Sequence, residues 1–142
     1  MESIRPTLNQ RDALLKRKGE FPTAAGSTYT GAHDLGDIAQ RGVRIDPFEL
    51  VIEAPALTAT QLPVGTSVTY SLQFCDTEDF ADNVEEVNVG IWKQTGSANG
   101  AEAIETRFRV ATDGRRFVRA KCVRTGTDGN LSGVNFTLDF VT

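Results

Sequence analysis

Histidine and tryptophan occur once each in this chain of 142 residues, and cysteine only twice. A single histidine excludes a multi-histidine metal centre. His33 falls in a stretch that offers neither a partner nor a firm frame for a general base, so a solvated loop residue is expected there. Cys75 and Cys122 lack metal-ligand spacing. Both lie in strand-like segments, where a free thiol behaves as a small apolar side chain; a disulfide would require the two strands to lie side by side. The longest apolar run is far too short to cross a bilayer. No positively charged start leads into an apolar stretch and a small-residue cleavage site, so no secretory signal is expected and the product is assigned to the cytosol or to assembly there. A net charge of −4 lacks the basic excess of a nucleic-acid binder. The serines form no nucleophile elbow, and there is no Walker loop or dinucleotide glycine motif. No enzyme activity and no cofactor are expected.

What is present is most concentrated between Thr69 and Phe80. Val68, Tyr70, Leu72 and Phe74 alternate with Thr69, Ser71 and Gln73, the period of a half-buried strand. That strand runs into Asp76, Glu78, Asp79, Asp82, Glu85 and Glu86 with no basic residue among them. The order of these acids does not match an EF-hand loop, although sandwich domains also bind calcium through irregular loop carboxylates. No particular pair of acids stands out for glycoside hydrolysis. A β-scaffold with charged loops and few catalytic side chains points to binding.

The length fits one folded domain with a core of its own. Residues 1–36 differ from the rest. A short helix is expected over Thr7 to Lys18, with Leu8, Leu14 and Leu15 as its apolar positions and Gly19 as its stop. Phe21 to Gly31 is small and turn-prone, which reads either as an extended arm or as a leader without a task. Residues 37–142 carry the strand signals: Phe48–Glu53 closed by Pro55, Val68–Cys75, Val87–Ile91, Ile104–Val110, Arg115–Thr125 after an Asp113-Gly114 turn, and Phe136–Phe140. Ile38–Ile45 and Leu57–Leu62 are two further candidates. Strands spaced by Gly, Pro and Asp turns, with no helical pattern between them, predict an all-β antiparallel sandwich.

Arg107, Arg109, Arg115, Arg116, Arg119, Lys121 and Arg124 face only Glu105 and Asp113 within the same stretch. Two readings stand for this basic strand pair: a solvated face, or complementarity with another subunit or a neighbouring protein surface. Phe117 shares the face of Arg119 and Lys121, as an interface residue would. Trp92 reads as an interface anchor, a sugar platform or a side chain packed under a loop. The candidate contacts are therefore Phe21, Tyr29, Trp92, Arg107, Arg109, Arg115, Arg116, Phe117, Arg119 and Lys121, with Asp76, Glu78, Asp79 and Asp82 as an acidic set.

Five segments follow one another along the chain: Thr-Ala-Ala-Gly-Ser-Thr at Thr23–Thr28, Asp34-Leu35-Gly36, the Phe48–Ala54 strand, Ser71-Leu-Gln-Phe-Cys-Asp-Thr-Glu-Asp-Phe80, and Arg115-Arg-Phe-Val-Arg-Ala120. Taken in order, they resemble the small head cement (decoration) proteins of tailed bacteriophages, the jelly-roll kind found on short-tailed phage capsids. The stretch from Arg109 to Gly114 and the basic segment from Arg11 to Lys18 depart from the family pattern. The resemblance implies a jelly-roll-like body and a structural role on the outer surface of a virion assembled in the host cytoplasm. It implies the major capsid protein and further copies of the chain, as a dimer or trimer, as partners. The protein would clamp neighbouring capsid subunits against the pressure of packaged DNA, with the N-terminal arm ordering along the shell. A carbohydrate-binding sandwich module of a phage adsorption apparatus is the alternative.

Overall fold

A computed structural model describes residues 16–34, 48–81, 83–87, 92–110, 116–126 and 128–141, apart from the side chains of 48, 109, 110, 140 and 141. These residues form two antiparallel sheets and no helix. The smaller sheet has the order β1 (Arg17–Glu20), β10 (Asn135–Val141), β4 (Phe48–Ala54), β8 (Ile104–Val110). The larger is built on β9 (Phe117–Thr125) and β5 (Ser67–Cys75), paired over the whole length of both. Each of its edges is made of two short strands. β2 (Gly26–Tyr29) and β3 (His33–Asp34) lie along β9, and β6 (Glu85–Val87) and β7 (Lys93–Thr95) along β5.

The strongly alternating segments form strands where the pattern predicts them, because one apolar face must be buried and a slip of one residue would expose it. Val68, Tyr70, Leu72, Val118, Ala120 and Cys122 of the larger sheet share one core with Leu50, Ile52, Phe136 and Leu138 of the smaller. Aromatic rings bridge the two: Tyr70 lies 5.7 Å from Phe136 and Phe74 6.0 Å from Phe108, centroid to centroid. Such pairs add about 0.5–1.5 kcal/mol each beyond their buried area. Tyr70 also donates a hydrogen bond to Gln94 Oε1 (2.5 Å). The Gln94 amide in turn donates to the carbonyls of Pro55 and Glu102. A buried polar group is thereby satisfied while β7 is tied to two loops.

Several expectations are corrected. Arg17 and Lys18, expected at the end of a helix, belong to β1, opposite Leu138 and Thr137; residues 7–15 lie outside the described residues. The open edge of β10 offers ladder hydrogen bonds that a short isolated helix cannot match. Gly19 is no helix stop: it faces Phe136, whose Cζ would stand 2.6 Å from a Cβ at this position. Residues 17–34 are part of the body, since they supply three strands and Phe21 to the core. The boundary expected near residue 36 lies outside the described residues.

Leu57–Leu62 is a turn, not a strand. Only Leu57 forms a bridge, with Ala101, while Thr58 and Gln61 cap each other's backbone N–H. Of Val87–Ile91, Val87 ends β6 and 88–91 are outside the described residues, as is 38–45. His33 is not a solvated loop residue: it is buried in β3, with its Nε2 3.4 Å from the Leu138 carbonyl. Arg124, counted in the basic run, is buried too, and donates to the carbonyls of Pro22, Asp128 and Gly129.

Neither cysteine is in a disulfide, and both are buried. They lie on adjacent strands but on opposite faces of the sheet. Cys75 is opposite Phe117 and Cys122 opposite Tyr70, five residues along β5. That separation is about 17 Å at ~3.4 Å per residue, far beyond disulfide reach.

Candidate functional site

The larger sheet turns one face to the core and the other outward. Alternation puts Gln73 and Cys75 of β5, Phe117, Arg119 and Lys121 of β9, and Tyr29 of β2 on the outward side. Register then decides which of them meet. Gln73 lies opposite Arg119 on one side and Glu86 on the other.

Arg119 is the centre of this surface. Its guanidinium carbon sits 3.8 Å from the centroid of the Tyr29 ring and 4.2 Å from that of Phe80, so two aromatic rings hold it. Its Nε donates to Gln73 Oε1 at 2.9 Å. Burial pulls the Arg119 pKa below the ordinary arginine value, with Tyr29 acting in the other direction; a guanidinium stays protonated in proteins all the same. Cation–π contacts of this kind contribute about 0.5–1 kcal/mol where solvent reaches them.

A polar network continues from Gln73. Its amide donates to Glu86 Oε1 (3.1 Å), Ser71 donates to Glu86 Oε2 (3.1 Å), and Lys121 Nζ lies 3.3 Å from Glu86 Oε1. Burial alone would raise the Glu86 pKa, but the hydrogen bonds from Gln73, Lys121 and Ser71 together hold it below the usual glutamate value. At the far end of the face, Arg116 forms a two-pronged pair with Asp34, at 2.8 and 2.9 Å.

Phe80 reaches Arg119 through an uncommon backbone. Its φ is +53°, in the left-handed region that bulky residues rarely occupy. Asp79 stabilises the loop around it by accepting hydrogen bonds from the Thr77 hydroxyl (2.9 Å) and the Ala81 N–H (3.1 Å). Folded back in this way, Phe80 covers Cys75 and Phe117 as a small apolar cluster on the outer face. The Cys75 thiol contacts the Thr77 hydroxyl at 3.5 Å, and hydrogen bonding with Thr77 lowers its pKa.

Tyr29, Arg116, Phe117, Arg119 and Lys121 therefore come together on one sheet face, with the Asp76–Asp79 loop beside them. Tyr29 is 40% exposed. Phe117 is not exposed as an interface residue would be: Phe80 and Cys75 bury it. Phe21 and Trp92, at 2% and 6% exposure, belong to the core, Phe21 against Tyr70 and Phe136 and Trp92 against Phe108. Burying such large rings outweighs leaving them to solvent by roughly 1.5–3 kcal/mol each.

The expected basic strand pair does not form, because β8 lies in the smaller sheet and β9 in the larger. Arg107 is on β8, bound to Glu49 and Glu105 at 2.9 Å each. Arg109 shares that strand, but its side chain, like Arg115 and Asp82, lies outside the described residues. Asp76 and Glu78 are exposed, whereas Asp79 is occupied with its own loop. Among the described residues no group of three or more His, Cys, Asp or Glu is placed to hold a metal ion.

Phe80, Gln73, Glu86 and Asp34 are the members of this surface that sequence reasoning missed. Alternation places Gln73 outward, but only strand register pairs it with Arg119. Nothing in the sequence signals the left-handed backbone at Phe80.

No protein-family model matches the chain, and no curated protein matches it in sequence.

Proposed function

We propose that this chain is a structural virion protein, a cement that binds the outer surface of an expanded phage head and clamps neighbouring major capsid protein subunits. Its body is read as a jelly-roll-like sandwich, and the protein acts without catalysis, as part of the particle. The observation that carries this reading is the Tyr29–Arg119–Phe80 stack. Aromatic rings and arginine are the side chains enriched at protein interfaces. Here they are already ordered, so little side-chain freedom remains to be lost on binding. The surrounding ion pairs are satisfied within the chain, which leaves a face suited to a complementary protein surface.

The test is co-sedimentation of the purified protein with expanded, cement-free heads, with unexpanded proheads as control. Saturable binding to expanded heads alone is expected. Tyr29→Ala and Arg119→Ala are expected to weaken it at least tenfold while thermal melts show the fold intact. Full binding by both variants would remove this face from the interface, and no binding by the wild type would remove the capsid role.

The carbohydrate-binding reading stands second. With Trp92 and Tyr70 buried, Tyr29 is its one exposed aromatic ring among the described residues, and Arg119 already covers one face of that ring. Hits on a glycan array with no head binding would bring it to first place.

A further inference from the structure

Among the described residues, β8 is the one sheet edge longer than four residues. The remaining edge strands have two to four residues each, which limits pairing with other chains. β8 instead runs seven residues in uninterrupted register with β4, without bulge or proline, and has no partner strand on its other side among the described residues. Its side chains are complementary to themselves in one antiparallel register. With Thr106 opposite Thr106 of a second copy, Glu105 falls opposite Arg107 twice, and Ile104 opposite Phe108 twice. Centring on Arg107 or on Glu105 would set like charges against each other.

A second observation picks out the same centre. The Thr106 hydroxyl is buried and has no hydrogen-bond partner among the described residues, a costly state for a polar group. A threonine directly opposite across a two-fold axis is a standard cross-strand hydrogen-bond partner. Ile104 and Phe108, which pack on the core only partly buried, flank it.

We propose that β8 pairs with β8 of a second copy, antiparallel about Thr106, and joins the two smaller sheets into one continuous sheet. The pair is isologous and closes at two copies. It does not rest on the capsid reading, since it forms in solution without heads.

The test is sedimentation velocity on the full chain at micromolar concentration, with oxidative cross-linking beside it. The wild type is expected to be a dimer. Glu105→Arg and Arg107→Glu each set like charges across the axis and are expected to give monomers that still unfold in one cooperative transition, at a lower midpoint because the partner copy and the pairs with Glu49 and Glu105 no longer contribute. The double variant restores opposite charges and is expected to return to a dimer. Thr106→Cys is expected to form an intermolecular disulfide under mild oxidant, whereas Glu105→Cys, displaced from the axis, is not. A monomeric or trimeric wild type, a double variant that stays monomeric, or equal cross-linking at both positions would overturn the proposal.

Discussion

Two ionisable side chains make this fold sensitive to acid, each for its own reason. His33 lies between the sheets, and burial lowers its pKa from the ordinary 6.5. The unfolded chain therefore binds a proton more readily than the folded one. The stability His33 contributes is present above about pH 6.5 and is lost as pH falls from there through the folded value. Glu86 has a folded pKa below the ordinary 4.5, so its contribution is present above about pH 4.5 and is lost further down. Urea melts at a series of pH values are expected to show two separable losses. His33→Gln should remove the one that begins near neutrality, and Glu86→Gln the one at lower pH. Neither environment is legible in the sequence, because both are made by groups distant along the chain: Leu138 for His33, Ser71, Gln73 and Lys121 for Glu86.

At the scale of elements, the strands that carry both a strong alternation and a buried face were readable. β4, β5, β8, β9 and β10 all appear where apolar and polar residues alternate. β1, β2, β3 and β7 were not, since each is two to four residues long and exists because a longer strand presents an edge to it. Gly19 illustrates the dependence: it permits β1 to lie under the Phe136 ring. Gly19→Ala is expected to force that ring out of place and lower stability by about 1–3 kcal/mol, read as a shift in the urea midpoint. The 76–81 loop is held by Asp79 and lays Phe80 over Cys75. Asp79→Ala is expected to loosen it and to speed the reaction of Cys75 with a thiol reagent. Cys122 should stay unreactive, since burial in the core pushes its pKa up to about 12.

For the whole molecule, the segment from 17 to 34 is the decisive one. Deleting residues 1–31 removes β1, β2 and Phe21, and the loss of a buried phenylalanine alone costs about 3–5 kcal/mol. The product is expected to lose its cooperative thermal transition, measured by circular dichroism. Such a deletion therefore does not test whether an arm contacts the capsid. Deletion of residues 1–15 does, because it leaves all the described strands in the chain.

The amino-acid sequence by itself determined the all-β class and the inward face of each long strand, because alternation is a local property. Only the tertiary structure decided which strands are neighbours. That choice separated Arg107 from Arg119, buried Phe21, Trp92 and Phe117, and brought Tyr29, Phe80, Gln73 and Arg119 to one point. The physical reason is that strand pairing is non-local. A backbone edge accepts any strand whose apolar face continues the core, so sheet order follows from packing the whole chain around one interior.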